Sequence, residues 1–259
     1  MLKAIPALLL VLCPAFALDA TGSLRQALAL FNSGKYAESF DLASQCLRQN
    51  HENAAALKIL GMDQFMLGHP REALAAMTRA SELAPSDADA FYYLGRLYFS
   101  ADNAVAALAA FEKALALDSA SVRAHNGLGQ TYEALGRRAE AESAYRQAMA
   151  IETDQPKPSE WPAYNLGALY LNDGRTDEAI ACFRRALQVN PAFPEARVKL
   201  AVALSKDHAA PESFELLREV LRADPRNAEA HYRLALLLTK AGKPDEARKH
   251  FELFETYRK

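Results

Sequence analysis

One pattern recurs along this chain about every 34 residues, and it leaves few folds open. A leucine followed by a small residue stands at Leu60-Gly61, Leu94-Gly95, Leu128-Gly129, Leu166-Gly167, Leu200-Ala201 and Leu234-Ala235, with an aromatic just beyond at Tyr98, Tyr132 and Tyr170. The second half of each period carries Ala73, Ala107, Ala141, Ala179 and Ala247, then Met77, Phe111, Tyr145, Phe183 and Phe251, then Ala80, Ala114, Ala148 and Ala186. Such spacings place the residues on one stripe of an amphipathic helix. Each period holds two stripes, so the repeating object is a pair of helices. One pair alone has too little core to fold, and stacked neighbours bury a continuous one.

Aligned on the leucine-small pair, the units begin at Ala20, Ala54, Ala88, Val122, Glu160, Pro194 and Ala228 and span 20–53, 54–87, 88–121, 122–155, 160–193, 194–227 and 228–259, with an insert at 156–159. Gly34, Gly68, Gly136, Gly174 and Gly242 lie between the stripes, where a residue that takes positive φ ends a helix. Pro85, Pro191 and Pro225 close their units. Asp177 and Glu178, like Asp245 and Glu246, favour the start of a second helix by meeting its dipole.

Three units depart from the pattern. The first has Gln26-Ala27 and Ala43 at the motif positions, as a terminal repeat with fewer neighbours does. The sixth replaces the glycine turn with Lys206-Asp207-His208 and carries Ser213 and Leu217 on its second helix, which is expected to be the least regular. Pro156 and Pro158 in the insert cannot continue a helix and favour an extended connection, read either as a change of pitch between the fourth and fifth units or, in preference, as an ordinary longer loop that costs little to close.

Ahead of the repeats, Lys3, the apolar run Ala4 to Leu12 and the small-x-small triplet Ala15-Phe16-Ala17 read as an export signal, residues 1–17, cleaved after Ala17. The run is shorter than the roughly 20 residues a spanning helix needs. A lipoprotein reading through Cys13 is disfavoured by Leu12 before it and Pro14 after it. The expected location is therefore periplasmic or secreted. Cys46 and Cys182 lie four units apart, beyond the reach of a disulfide, and are expected to be buried free thiols. With 51% hydrophobic and 24% charged residues and a formal charge of -2, the chain has ample core and no basic field to favour nucleic acid.

The order leucine-small, aromatic, alanine, aromatic, alanine, proline at fixed offsets resembles the tetratricopeptide repeat (TPR) family, over 18–259. The resemblance implies an all-α, right-handed superhelical solenoid of about seven helix-turn-helix repeats, whose first helices line a concave, peptide-binding groove. By the same resemblance the groove residues are positions two, five, nine and twelve of a unit. These are Lys58, Met62 and Phe65 in the second, Asp89, Tyr92, Arg96 and Phe99 in the third, and Arg123, Asn126, Gln130 and Glu133 in the fourth. The fifth contributes Trp161, Tyr164, Ala168 and Leu171. Tyr, Trp, Arg, Met and Phe are enriched at interfaces, and Asn and Gln can bond an extended backbone. The clamp that some TPR modules close on a chaperone's terminal carboxylate is incomplete, since Lys58 is followed by Met62, Tyr93 and Gly127 at the other positions.

No catalytic constellation, cofactor motif or metal-binding cluster stands out in the sequence. His51, His69, His125, His208, His231 and His250 are scattered, and His125 and His231 occupy a packing position of their units. At the C-terminal edge the last helix carries Phe251, Leu253, Phe254 and Tyr257, and Phe251 and Phe254 are expected to pack inward on Tyr232, Leu234 and Ala235 rather than leave an edge that docks a partner or a second copy. The function implied is a non-enzymatic scaffold for proteins or peptides, an adaptor in envelope assembly or secretion. The alternative is a regulatory or accessory subunit of a separately encoded enzyme.

Overall fold

A computed structural model describes residues 20–152, 157–206 and 211–258. The signal segment, Pro156 of the insert and Asp207-His208 lie outside these residues. Among them are fourteen α-helices and no strand, and no helix is long and apolar enough to cross a membrane. The chain divides into two compact units, one up to Leu97 and one from Tyr98 onward.

The first unit holds α1 (Ala20–Asn32), α2 (Tyr36–Gln49), α3 (Ala54–Met66), α4 (Pro70–Leu83) and most of α5 (Ala88–Ser100). Contacts join α1 to α2, α2 to α3, α3 to α4 and α1 to α3, the pattern of stacked helix pairs. Ala27, Ala43 and Ile59 form a small core between the first two pairs. Asn53 begins α3 by accepting the Ala56 N–H at 3.0 Å, an N-cap that satisfies a donor left open at a helix start. One core position is out of character. Asp63 is fully buried, and neither carboxylate oxygen has a hydrogen-bond partner. Ser39 stands nearby but donates its hydroxyl to the Ala27 carbonyl at 2.9 Å.

The second unit holds α6 (Ala104–Leu117), α7 (Val122–Ala134), α8 (Arg138–Glu152), α9 (Trp161–Asn172), α10 (Thr176–Val189), α11 (Pro194–Leu204), α12 (Pro211–Ala223), α13 (Ala228–Lys240) and α14 (Pro244–Tyr257). From α6 to α14 each helix packs on the next, and the first helices of successive pairs also touch, α7 on α9, α9 on α11 and α11 on α13. That is the contact pattern of a solenoid. The core follows the repeated motif: Tyr145, Leu166, Tyr170, Ala179, Cys182 and Phe183 pack together through the fourth and fifth pairs. Small residues are obligatory at the crossings. A Cβ added at Gly129 would lie 2.4 Å from the Tyr145 ring, and one at Gly167 would lie 2.8 Å from the Phe183 ring.

Turns are secured by arginines that follow the glycine. Arg137 lies over the Tyr132 ring at 4.5 Å and Arg175 over the Tyr170 ring at 4.0 Å. Arg175 also bonds Glu142 of the preceding pair at 2.7 Å, and Glu142 accepts the Tyr170 hydroxyl at 2.9 Å. The insert is tied down rather than loose at its described end, because the buried Glu152 carboxylate accepts the Ser159 N–H. Cys46 and Cys182 are both buried and unbridged, and burial pushes the Cys182 thiol up to about 11.

The sixth unit corrects one expectation. α12 is an uninterrupted helix of 13 residues with Ser213, Leu217 and Val220 buried on one face. The stripe Ser213, Leu217, Val220 keeps helical spacing, so losing the alanine and aromatic of the motif costs packing bulk and not helicity. The C-terminal aromatics turn inward as expected, with Phe254 and Phe251 at 5.0 and 6.2 Å from the Tyr232 ring.

Candidate binding surface

In the first unit several of the expected groove residues are already engaged within the protein. Lys58 pairs with Asp87 at 2.6 Å, and the Arg96 guanidinium lies 4.9 Å from the centre of the Phe65 ring. Tyr92 meets Tyr93 edge-on at 5.1 Å. Met62 is only 5% exposed and belongs to the core, so it offers no side chain to a partner.

In the second unit the surface is built around α7 and α9. Asn126 and Asn165 are bonded side chain to side chain at 2.9 Å, a polar rung between successive first helices. Beside the rung, Trp161 packs edge-on against Tyr164 at 5.8 Å and Phe193 at 5.0 Å, and Tyr164 also meets Phe193 at 5.2 Å. Trp161 is 45% exposed, and Phe193 is buried beneath it. The rotamers of Trp161 and Tyr164 are therefore fixed from below. Burial raises the Tyr164 pKa, and the negative charges of Glu195 and Glu229 raise it further. Gln130 is half-buried, Arg123 is exposed and Phe99 is half-buried. Glu133 accepts the Tyr145 hydroxyl at 2.5 Å and is thus partly a core residue.

Further along, positions nine to thirteen of the sixth and seventh units line an apolar cleft between α9, α11 and α13, with Val202 and Leu236 in its floor and Lys240 at its edge. Applying the groove positions to these two units as well would have found Val202, Ser205 and Leu236 from sequence.

His125 and His231 are buried, and each bonds a backbone oxygen, that of Ser119 at 3.1 Å and that of Pro225 at 3.0 Å. Among the described residues no group of three or more His, Cys, Asp or Glu is placed to hold a metal ion. The surface offers rigid aromatic rings, amide hydrogen bonds and charge, which is the chemistry of recognition.

A tetratricopeptide repeat model matches residues 60–122, and the middle TPR-like domain of cilia and flagella-associated protein 70 matches residues 125–253. No curated protein matches at a significant level. Among solved structures, a thermophilic TPR protein of Thermus thermophilus is 26% identical, covers 71% of this chain and 98% of its own, and superposes with a TM-score of 0.62. PilW, described as a widely conserved type IV pilus biogenesis factor, is 20% identical over 76% of this chain and 90% of its own, with a TM-score of 0.69. YrrB, described as a TPR protein with an unusual peptide-binding site, is 24% identical over 70% of this chain and 91% of its own, with a TM-score of 0.55. The last two likenesses speak for the fold alone. With the motif, the paired helices and the two family matches in agreement, the chain belongs to the tetratricopeptide repeat family.

Proposed function

We propose that this chain is a non-enzymatic scaffold that binds a peptide or protein surface along its first helices, acting as an adaptor in envelope assembly or secretion after export and cleavage at Ala17. The observation that carries the reading is Trp161, 45% exposed yet locked against Tyr164 and Phe193 beside the Asn126–Asn165 rung. A ring already held in place loses little conformational entropy on binding, and side-chain amides can pair with an extended backbone. The envelope role is supported by the pattern from Lys3 to Ala17 and by the fold shared with PilW, and peptide binding by the fold shared with YrrB.

The test is crosslinking and capture from the native compartment with wild type, Trp161→Ala and Asn126→Ala. The expected result is a discrete partner that both variants lose while their melting stays within a few degrees of wild type. Equal capture by all three proteins would sink the reading.

A further inference from the structure

We propose that the cleft between α9, α11 and α13 seats an aliphatic side chain of an acidic peptide segment, with the flanking carboxylates held by Lys206, Arg233 and Lys240. This rests on the scaffold reading and names the chemistry of its ligand. The cleft has a volume of 380 Å³, at the small end of the range for ligand clefts. Its floor is aliphatic: Leu171 of α9, Ala201 and Val202 of α11, and Leu236 and Leu237 of α13. Leu236 is 41% exposed, which leaves apolar area for a ligand to cover.

The edge of the cleft is basic. Lys206, Arg233 and Lys240 line it, and no carboxylate does. The Lys240 ammonium donates to the Ser205 and Lys206 carbonyls at 2.7 and 2.9 Å, and the Lys206 ammonium to the Thr176 hydroxyl at 3.1 Å. These are neutral oxygens, so among the described residues neither ammonium is matched by a carboxylate. Arg233 is half-matched by Glu229 at 2.7 Å. Acidic charge gathers instead near Tyr164, where Glu195 and Glu229 act on the ring hydroxyl.

The surface is thus polarised, acid-repelling near Tyr164 and acid-accepting near Lys240. Three cations on one helix and a turn suit several side-chain carboxylates better than one terminal carboxylate. An aliphatic floor offers no ring for a nucleobase to stack on, which sets the site apart from one for single-stranded nucleic acid.

The experiment is fluorescence anisotropy of the full chain with a short labelled, amidated peptide of alternating leucine and glutamate. Controls carry lysine for glutamate or serine for leucine. Leu236→Asp places a charge in the floor at an exposed position, and Lys240→Gln removes charge while keeping an N–H donor for the Ser205 carbonyl.

Binding of the acidic leucine peptide is expected to weaken about tenfold or more in each variant and to fall with added salt, with melting unchanged. Equal binding of the lysine peptide, unchanged affinity in Leu236→Asp, or no binding of the acidic peptide at millimolar concentration overturns the proposal. If the partner captured through Trp161 persists while the acidic peptide does not bind, the scaffold reading stands and this one falls.

Discussion

At the fifteenth position of a unit the chain must leave the first helix through a left-handed residue. Five units supply glycine there, with φ between 73° and 82°, and the third supplies Asp102 with φ 55°. A side chain in this region crowds the following carbonyl, a cost that aspartate bears better than most residues. Asp102→Gly is expected to stabilise the protein by about 0.5–1 kcal/mol, read as a rise in denaturation midpoint with an unchanged slope. Asp63 is the opposite kind of exception, a polar residue where the third, fifth and seventh units place Leu97, Leu169 and Leu237. Burial pushes its carboxyl up to about 7, with the nearby Ser39 hydroxyl pulling the other way. Asp63→Asn keeps the shape and removes the ionisation. It should raise stability in mild alkali and change little in mild acid, as followed by melting curves across pH.

At the scale of a helix pair, the crossing sets the tolerance for change. In the fifth pair, a Cβ on Gly167 would meet the Phe183 ring at 2.8 Å and the Cys182 Cβ at 3.1 Å, and Phe183 is fully buried with nowhere to swing. Gly167→Leu is expected to cost about 1–3 kcal/mol through overpacking, measured by chemical denaturation. This crossing was legible in the sequence, because a small residue opposite an aromatic at fixed offsets has one simple packing solution. Met62 was not. Its position nine is shared by the half-buried Arg96 and Gln130, and periodicity alone does not say which of these side chains folds into the core. The regular α12 makes a related point: helical stripe spacing survives the loss of the motif residues that usually fill it.

Across the whole molecule, the two units are expected to answer pH in opposite directions. Folding raises the Asp63 pKa above its usual 3.8, so its contribution to the first unit is full in acid and lost as the pH climbs through about 7. In the second unit, His231 accepts from or donates to His250 across 2.9 Å between their Nδ1 atoms, and burial followed by the charge of His231 holds the His250 pKa below 6.5 while Glu246 opposes. A lowered histidine pKa means the unfolded chain takes the proton first, so this contribution is present above 6.5 and lost as the pH falls. Between about pH 7 and 5.5, hydrogen exchange corrected for intrinsic rates should show α2 and α3 gaining about 1–2 kcal/mol of protection while α13 and α14 lose some. Asp63→Asn should abolish the first trend and His250→Gln the second. Parallel trends in both units would contradict the assignment.

By itself, the sequence determined the repeat, its period, the pairing of helices and the placement of glycine, alanine and aromatic at each crossing. These are local and periodic demands that each unit states again. The resemblance to the repeat family added Asn126, Trp161 and Tyr164 as groove positions, residues the packing stripe does not use. The tertiary structure alone decided which unused residues face solvent and which meet each other. Met62 sinks into the core, Asn126 reaches Asn165 across two helices, and Lys206, Arg233 and Lys240 gather around one aliphatic cleft. Such groupings join residues from different units, and a period read along the chain carries no distance between one unit's side chains and the next.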